Sequence, residues 1–314
     1  MFDRITIKAT ITDDECAHLA SLHHLEAYTN ESGTRVKYRS TEYKNLSGIF
    51  VTIDKNKLTI SLSLHKYWKN KNFGRLRNDD LFTVSEAKSA FEMLIFENGL
   101  IAAKTKVTYF EIGMNMNVSY DPLTFMELVR YIPRKNDIVS NKQMFVDANY
   151  RINRQKTTEK HSDIRKYFKI YDKGWEMQEK KRIPINNYIL RIETVYKRHN
   201  ERSDSFFTEE NIKRLVNRFF LDWKDLVFIR TVRADKGRRK SEIERAKILI
   251  NTSPEEYIAK IKDDLRDGIL TTKQYRTIRE FVRDFDEDKF RTVISPQEQE
   301  YKRLFGSVFQ KSRE

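Results

Sequence analysis

The chain has 314 residues, enough for one large domain or two ordinary ones with a sizeable core. Hydrophobic residues make up 39% and charged residues 34%. The 60 lysines and arginines outnumber the 46 acids by a formal +14, a balance that points to a polyanionic partner such as nucleic acid. A single cysteine excludes a disulfide framework and a thiolate zinc site, and fits a reducing cytoplasm.

The first stretch, "MFDRITIKATI", alternates polar and apolar residues, so it reads as a strand and not as a signal peptide. Further strands are expected at Val36–Ser40, Ile49–Asp54, Lys57–His65, Val107–Val118, Lys166–Asp172 and Asn187–Tyr196, with a hairpin turn at Asp54–Lys57. Helical spacing marks "TVSEAKSAFEMLIFENGL", capped by Thr83 or Ser85, and "DPLTFMELVRYI", opened by Asp121 and Pro122. Residues 133–163 are polar and turn-rich and read as an irregular excursion. Helical patterns dominate from Thr208 on, each opened by a Ser or Thr cap and two with a capping-box arrangement. The fold class is therefore α+β: an antiparallel sheet with helices packed on one face, followed by a helical C-terminal region. No run approaches the ~18 apolar residues that span a bilayer, and no glycine-rich phosphate loop occurs.

Period-two spacing sorts the strand residues into faces. In "VTYFEIGMNMNV", Phe110, Ile112, Met114, Met116 and Val118 form a core face, leaving Tyr109, Glu111, Gly113, Asn115 and Asn117 on the other. That second row is either a plain polar surface or a source of oxygen ligands for a hard divalent cation. In "NNYILRIETVYK", Glu193 shares the outward face with Arg191; it reads as a metal ligand, a general base or the partner of a neighbouring lysine. His65 falls at the expected end of its strand, where an imidazole can ligate, shuttle protons or do neither. Tyr167, Lys169, Tyr171 and Lys173 share one face of "RKYFKIYDKGWEM". A lysine beside a tyrosine can stabilise a phenolate nucleophile; the alternative is a charged surface strand. Basic runs at Lys69–Arg77 and Arg238–Lys240 read as phosphate contacts or as solvated loops.

Taken in order, "LSGIFVTID", "SLHKYWKNKNFG", a helix, "TYFEIGMNMNV", "IYDKGWEMQ" and "LRIETVYK" resemble the filamentous-phage gene II family of replication initiators, which includes plasmid and phage proteins of the gene II/X type. Ser63 and Lys66 match its S-x-x-K turn, Glu111 its acidic strand position, Tyr171, Lys173 and Glu176 its Y-x-K-x-x-E segment, and Arg191 and Glu193 its Arg-x-Glu strand. The resemblance covers roughly residues 45–200. It implies a ferredoxin-like nickase core and a rolling-circle initiator, a site-specific single-strand DNA endonuclease and ligase. Tyr171 would attack the scissile phosphodiester and be joined to the 5′ phosphate, with Lys173 as its electrostatic partner. Glu111 and Glu193, with His65, would bind Mg2+ or Mn2+; His161 is a further candidate ligand. The chain lacks the histidine pair of the wider nickase class, and has Glu111 where the family often has aspartate.

The resemblance divides the chain into a nicking endonuclease domain, 1–205, and a helical accessory or DNA-binding region, 206–314. Its implied partners are single-stranded and duplex origin DNA and the host replication helicase and polymerase, in the cytoplasm of a bacterial host. The alternative is an origin- or operator-binding protein without cleavage. A mobilisation relaxase shares the nickase chemistry.

Overall fold

The computed structural model describes residues 2–29, 36–40, 48–131, 144–146, 165–224, 226–233, 237–252 and 254–311. Strand β1 (Phe2–Thr10) is followed by helix α1 (Asp13–Leu22), whose Thr12 and Glu15 close a capping box. Strands β2 (Glu26–Thr29), β3 (Val36–Arg39), β4 (Ile49–Asp54) and β5 (Lys57–Ser63) come next, β4 and β5 joined by a two-residue turn with Lys55 at φ 56°. Helices α2 (Leu64–Phe73) and α3 (Val84–Glu97) lead to the fourteen-residue strand β6 (Thr105–Val118). Helix α4 (Pro122–Leu128) and strands β7 (Val129–Tyr131), β8 (Met144–Val146) and β9 (Lys166–Asp172) follow. A short helix α5 (Lys173–Trp175) runs into a π-turn before β10 (Tyr188–Tyr196). After β11 (Glu201–Arg202), helices α6 (Ser203–Phe206) and α7 (Glu209–Lys224) begin the helical region.

The main sheet has ten strands in the order β2-β3-β4-β5-β1-β6-β10-β9-β8, with β11 also pairing with β6. Each pairing is antiparallel except β8 with β9. The fold is α+β, as the alternation of the sequence implies.

The two faces of the sheet divide as period-two spacing requires. Ile5, Ile60, Phe110, Ile112, Phe168 and Ile192 are all buried on the apolar face. Helix α3 closes on it through Phe91, whose ring stacks on Phe207 at 3.7 Å. Helix α7 seats fully buried Trp223 on the same face, where its indole N–H donates to Thr194 Oγ1 at 3.0 Å. Each such large apolar side chain contributes ~1.5–3 kcal/mol by leaving water. With one face sealed, polar chemistry is confined to the other.

The remaining described elements are β12 (Val227–Phe228), β13 (Thr231–Val232), α8 (Lys240–Asn251), α9 (Pro254–Arg266), α10 (Thr272–Arg283), β14 (Thr292–Val293) and α11 (Pro296–Lys311). Helix α11 returns to the main core, where the Tyr301 hydroxyl donates to the Trp223 carbonyl at 3.1 Å. Helices α8, α9 and α10 pack around small clusters of their own, built on Ile243, Leu249, Tyr257, Ile261 and Ile278. Among the described residues, no helix is long and apolar enough to cross a membrane.

Two local expectations are corrected. Strand β5 ends at Ser63, whose hydroxyl caps α2 by accepting from the Lys66 backbone N–H at 3.2 Å. His65 therefore lies in a helix, not at a strand end. Strand β9 ends at Asp172, whose carboxylate accepts from the Trp175 N–H at 2.9 Å and starts α5, so Lys173 has left the strand. The expected excursion at 133–163 falls mostly outside the described residues, as does His161.

Candidate active site

Register brings the polar side chains of four strands together. Glu193 in β10 stands between Gly113 of β6 and Lys169 of β9, and Arg191 stands between Asn115 and Tyr171. Cross-strand partners share a face, so all of them point to the polar side. Glu111 lies one row further along β6, opposite Val195.

Strand β1 adds a residue through an irregularity. Phe2 pairs with Ile112 and Ile5 with Phe110, so Asp3 and Arg4 together stand opposite the single residue Glu111. The bulge keeps Phe2 in the core and turns Asp3 onto the polar face. Oxygens of Asp3, Glu111 and Glu193, all buried, lie within 4.8 Å of one another.

Cations and hydrogen bonds hold this cluster. The Arg191 guanidinium donates to Glu193 Oε1 at 2.5 Å, to Asn115 Oδ1 at 2.7 Å and to Asp3 Oδ2 at 2.5 Å. The Lys169 ammonium bridges Glu111, at 3.3 Å, and Glu193. Asp3 also accepts from the Ser63 hydroxyl and from Asn78 Nδ2 at 3.0 Å. The Tyr109 hydroxyl donates to Glu111, and the Tyr171 hydroxyl donates to Glu193 Oε1 at 2.8 Å.

These contacts push the two central carboxylates apart. Burial acts to raise the pKa of Glu193, but Lys169 and Arg191 outweigh it and bring it down to about 2. Burial and the neighbouring Glu193 raise Glu111, only partly offset by Lys169. At Asp3 burial is again overcome, mainly by Arg191 and Lys173, and the acid lies well below the ordinary range. Burial and Glu193 push the Tyr171 phenol well above its usual value. At neutral pH Tyr171 therefore keeps its proton and presents it to an ionised base.

The cluster floors an open cleft of about 1060 Å3 that is lined by Tyr171, Lys173, Glu111 and Glu193 among others. That exceeds the ~300–1,000 Å3 of an ordinary small-molecule site and suits an extended ligand. Tyr171, Glu111 and Glu193 are thus brought together. Lys173 lines the same cleft with 1% of its side chain exposed, and its ammonium pairs with Glu176 at 2.9 Å. Burial and Arg191 lower its pKa. His65 lies near enough to Asp3 to feel its charge, but its own side-chain partners are elsewhere. It is buried, stacked on Phe82 at 4.5 Å and hydrogen-bonded to Asp80 at 2.7 Å.

Three clustered carboxylates are the hard oxygen donors that Mg2+ and Mn2+ prefer. The residues fit such an ion: Asp3, Glu111 and Glu193 would hold it, in exchange for Lys169. Asp3 escapes a sequence reading because strict alternation from Ile5 and Ile7 assigns it to the core. Lys169 is legible only as a neighbour of Tyr171, with nothing to show which acids it bridges.

No protein-family model and no curated protein matches the chain. Among solved structures it is similar to a rolling-circle replication initiator protein from Geobacillus stearothermophilus. The identity is 10%, over 76% of this chain and 88% of that one, with a TM-score of 0.36. A likeness at that level carries no argument about function, which rests on the residues themselves.

Proposed function

We propose that this chain is a rolling-circle DNA replication initiator of the gene II type, a site-specific single-strand endonuclease and ligase that works through Tyr171. The observation that carries the reading is the Tyr171 hydroxyl, hydrogen-bonded to ionised Glu193 inside a cleft shared by three carboxylates and a group of lysines. The order of short motifs between residues 45 and 200 supports it independently.

In this reading the Tyr171 oxygen attacks the scissile phosphorus and Glu193 takes the phenolic proton. The bond from phosphorus to the 3′ oxygen breaks and that oxygen takes up the proton from Glu193, leaving a 3′-OH and a phosphotyrosine on the 5′ end. One phosphodiester is exchanged for another, so the reverse step reseals a strand without an energy source. Mg2+ or Mn2+ at Asp3, Glu111 and Glu193 would supply positive charge to the phosphate oxygens. Lys173, through its contact with Glu176, sets the charge of the cleft wall beside Tyr171. The helices after residue 206 serve as an accessory DNA-binding region in this scheme, with Lys273, Arg276 and Arg279 exposed along α10.

A second reading, DNA binding without cleavage, draws on the burial of the same groups: Tyr171 is 7% exposed and its network also braces the sheet. One experiment separates the two. Single-stranded oligonucleotides tiled across the DNA flanking the protein's own gene are incubated with it and Mn2+, and adducts are mapped by mass spectrometry. The nickase reading expects an adduct on Tyr171, and Tyr171→Phe should bind the same oligonucleotide within twofold yet form none. An adduct elsewhere, or cleavage by Tyr171→Phe, overturns the assignment.

A further inference from the structure

The cleft holds a second group of charges that the carboxylate cluster does not use. Lys66 enters from one wall, on the first turn of α2, and Lys181 from the other, just past the π-turn. Both line the one cleft, and each lies close enough for its charge to act on the other. Like charges brought this close repel, and burial adds to the cost.

Glu176 offsets only part of it. Glu176 accepts from Lys181 at 2.7 Å and from Lys173 at 2.9 Å, so that carboxylate is already shared by two lysines. Lys66 pairs with no carboxylate among the described residues. Asp3, whose charge it feels, is already bound by Arg191, Ser63 and Asn78. Burial, then Lys181, brings the Lys66 ammonium down to about 8. Lys66, without a carboxylate partner, and Lys181, which shares Glu176 with Lys173, therefore both line the cleft that Tyr171 lines. The fitting ligand is a compact anion with several oxygens that reaches both ammonium groups at once, and a phosphate meets that description.

We infer that Lys66 and Lys181 form a subsite for a backbone phosphate of single-stranded DNA, clamping one phosphate between the two walls of the cleft. The inference rests on the nuclease reading for the identity of the ligand, though its geometry does not depend on cleavage. It makes the pair positioning residues. Their charges hold the strand, while Tyr171 and Glu193 perform the exchange.

The test uses Tyr171→Phe protein labelled with 13C at the lysine ε-carbons, with the Lys66 resonance assigned through Lys66→Arg. Its pH midpoint is followed alone, with inorganic phosphate, and with a twelve-residue oligothymidylate. Saturating oligothymidylate should raise the Lys66 midpoint by at least one unit, equivalent to a tenfold coupling between proton and ligand. Lys66→Met and Lys181→Met should each weaken oligothymidylate binding about tenfold, while the exposed control Lys104→Met stays within twofold. A Lys66 midpoint unmoved by oligothymidylate that binds the protein overturns the subsite. So does a midpoint moved by inorganic phosphate and not by the oligonucleotide, which marks a free-anion site. In otherwise unmodified protein, cleavage with unchanged KM in Lys66→Met removes the subsite and leaves the nuclease. A responsive Lys66 in a protein that never cleaves removes the nuclease and leaves the subsite.

Discussion

Replacing Gly113 by alanine sets a methyl group against the Arg191 guanidinium at the centre of the site. A Cβ on Gly113 would lie 2.8 Å from Arg191 Nη2, 3.0 Å from Glu193 Cγ and 3.2 Å from Arg191 Cζ, where ordinary contact begins at 3.4 Å. The guanidinium has to retreat by about 0.6 Å, yet its side chain is 3% exposed and is held by Asp3, Asn115 and Glu193. Losing one charge-assisted hydrogen bond costs ~1.5–3 kcal/mol. Removing a glycine from a strand returns ~0.5–1 kcal/mol. The net loss is about 1–2 kcal/mol, which at a urea m-value of ~3 kcal/mol/M lowers the midpoint by roughly 0.5 M. Urea unfolding of Gly113→Ala measures it directly. In an Arg191→Ala background only the gain from removing the glycine remains, ~0.5–1 kcal/mol, so the double-mutant cycle should show a coupling of ~1.5–3 kcal/mol. If Gly113→Ala is as stable as the parent, or costs the same in both backgrounds, Arg191 is not confined as described.

Acid should unfold the protein through the same cluster. Asp3, Glu176 and Glu193 all have depressed pKa values, the last two about 2, so their stabilisation is complete above pH ~4.5 and is lost as pH falls toward 2. For Glu176 alone the shift corresponds to about 3 kcal/mol, and urea midpoints at pH 6, 4 and 3 should drop steeply, less so in Glu176→Gln. Glu111, whose pKa is raised, acts in the opposite sense and favours the folded state at low pH, but it stands alone against three; a flat profile between pH 5 and 3 contradicts the network. For the metal, Asp3→Asn should weaken Mn2+ binding at least tenfold by calorimetry; equal affinity takes Asp3 out of the ligand set.

The faces of the strands were legible because one side of the sheet is sealed by helices and the other is not. Phe110, Ile112, Met114 and Met116 against Glu111, Gly113 and Asn115 is a pattern that only one register satisfies. That alone places Tyr171, Glu111 and Glu193 on one side. What alternation cannot supply is the position where it breaks. The bulge between Phe2 and Ile5 reverses the parity of Asp3. The cap at Ser63 turns an apparent strand end into helix α2 and sets His65 against Phe82 and Asp80. The Asp172 cap does the same for Lys173, which meets Glu176 and not the Tyr171 hydroxyl. Partner choice among lysines was equally hidden, since Lys66, Lys169 and Lys181 differ in role through contacts made across the cleft.

Strand β1 lies in the interior of the sheet, between β5 and β6, although it is the strand nearest the start of the sequence. Its neighbours arrive only after residues 57 and 105 have been synthesised, and Asp3 waits 188 positions for Arg191. Such pairings close large loops and are slow to form. On the ribosome, β1 therefore has two open edges that invite pairing with other chains. The carboxylate cluster comes into being only when β10 docks, so a nascent or truncated chain ending before Glu193 lacks the assembled site.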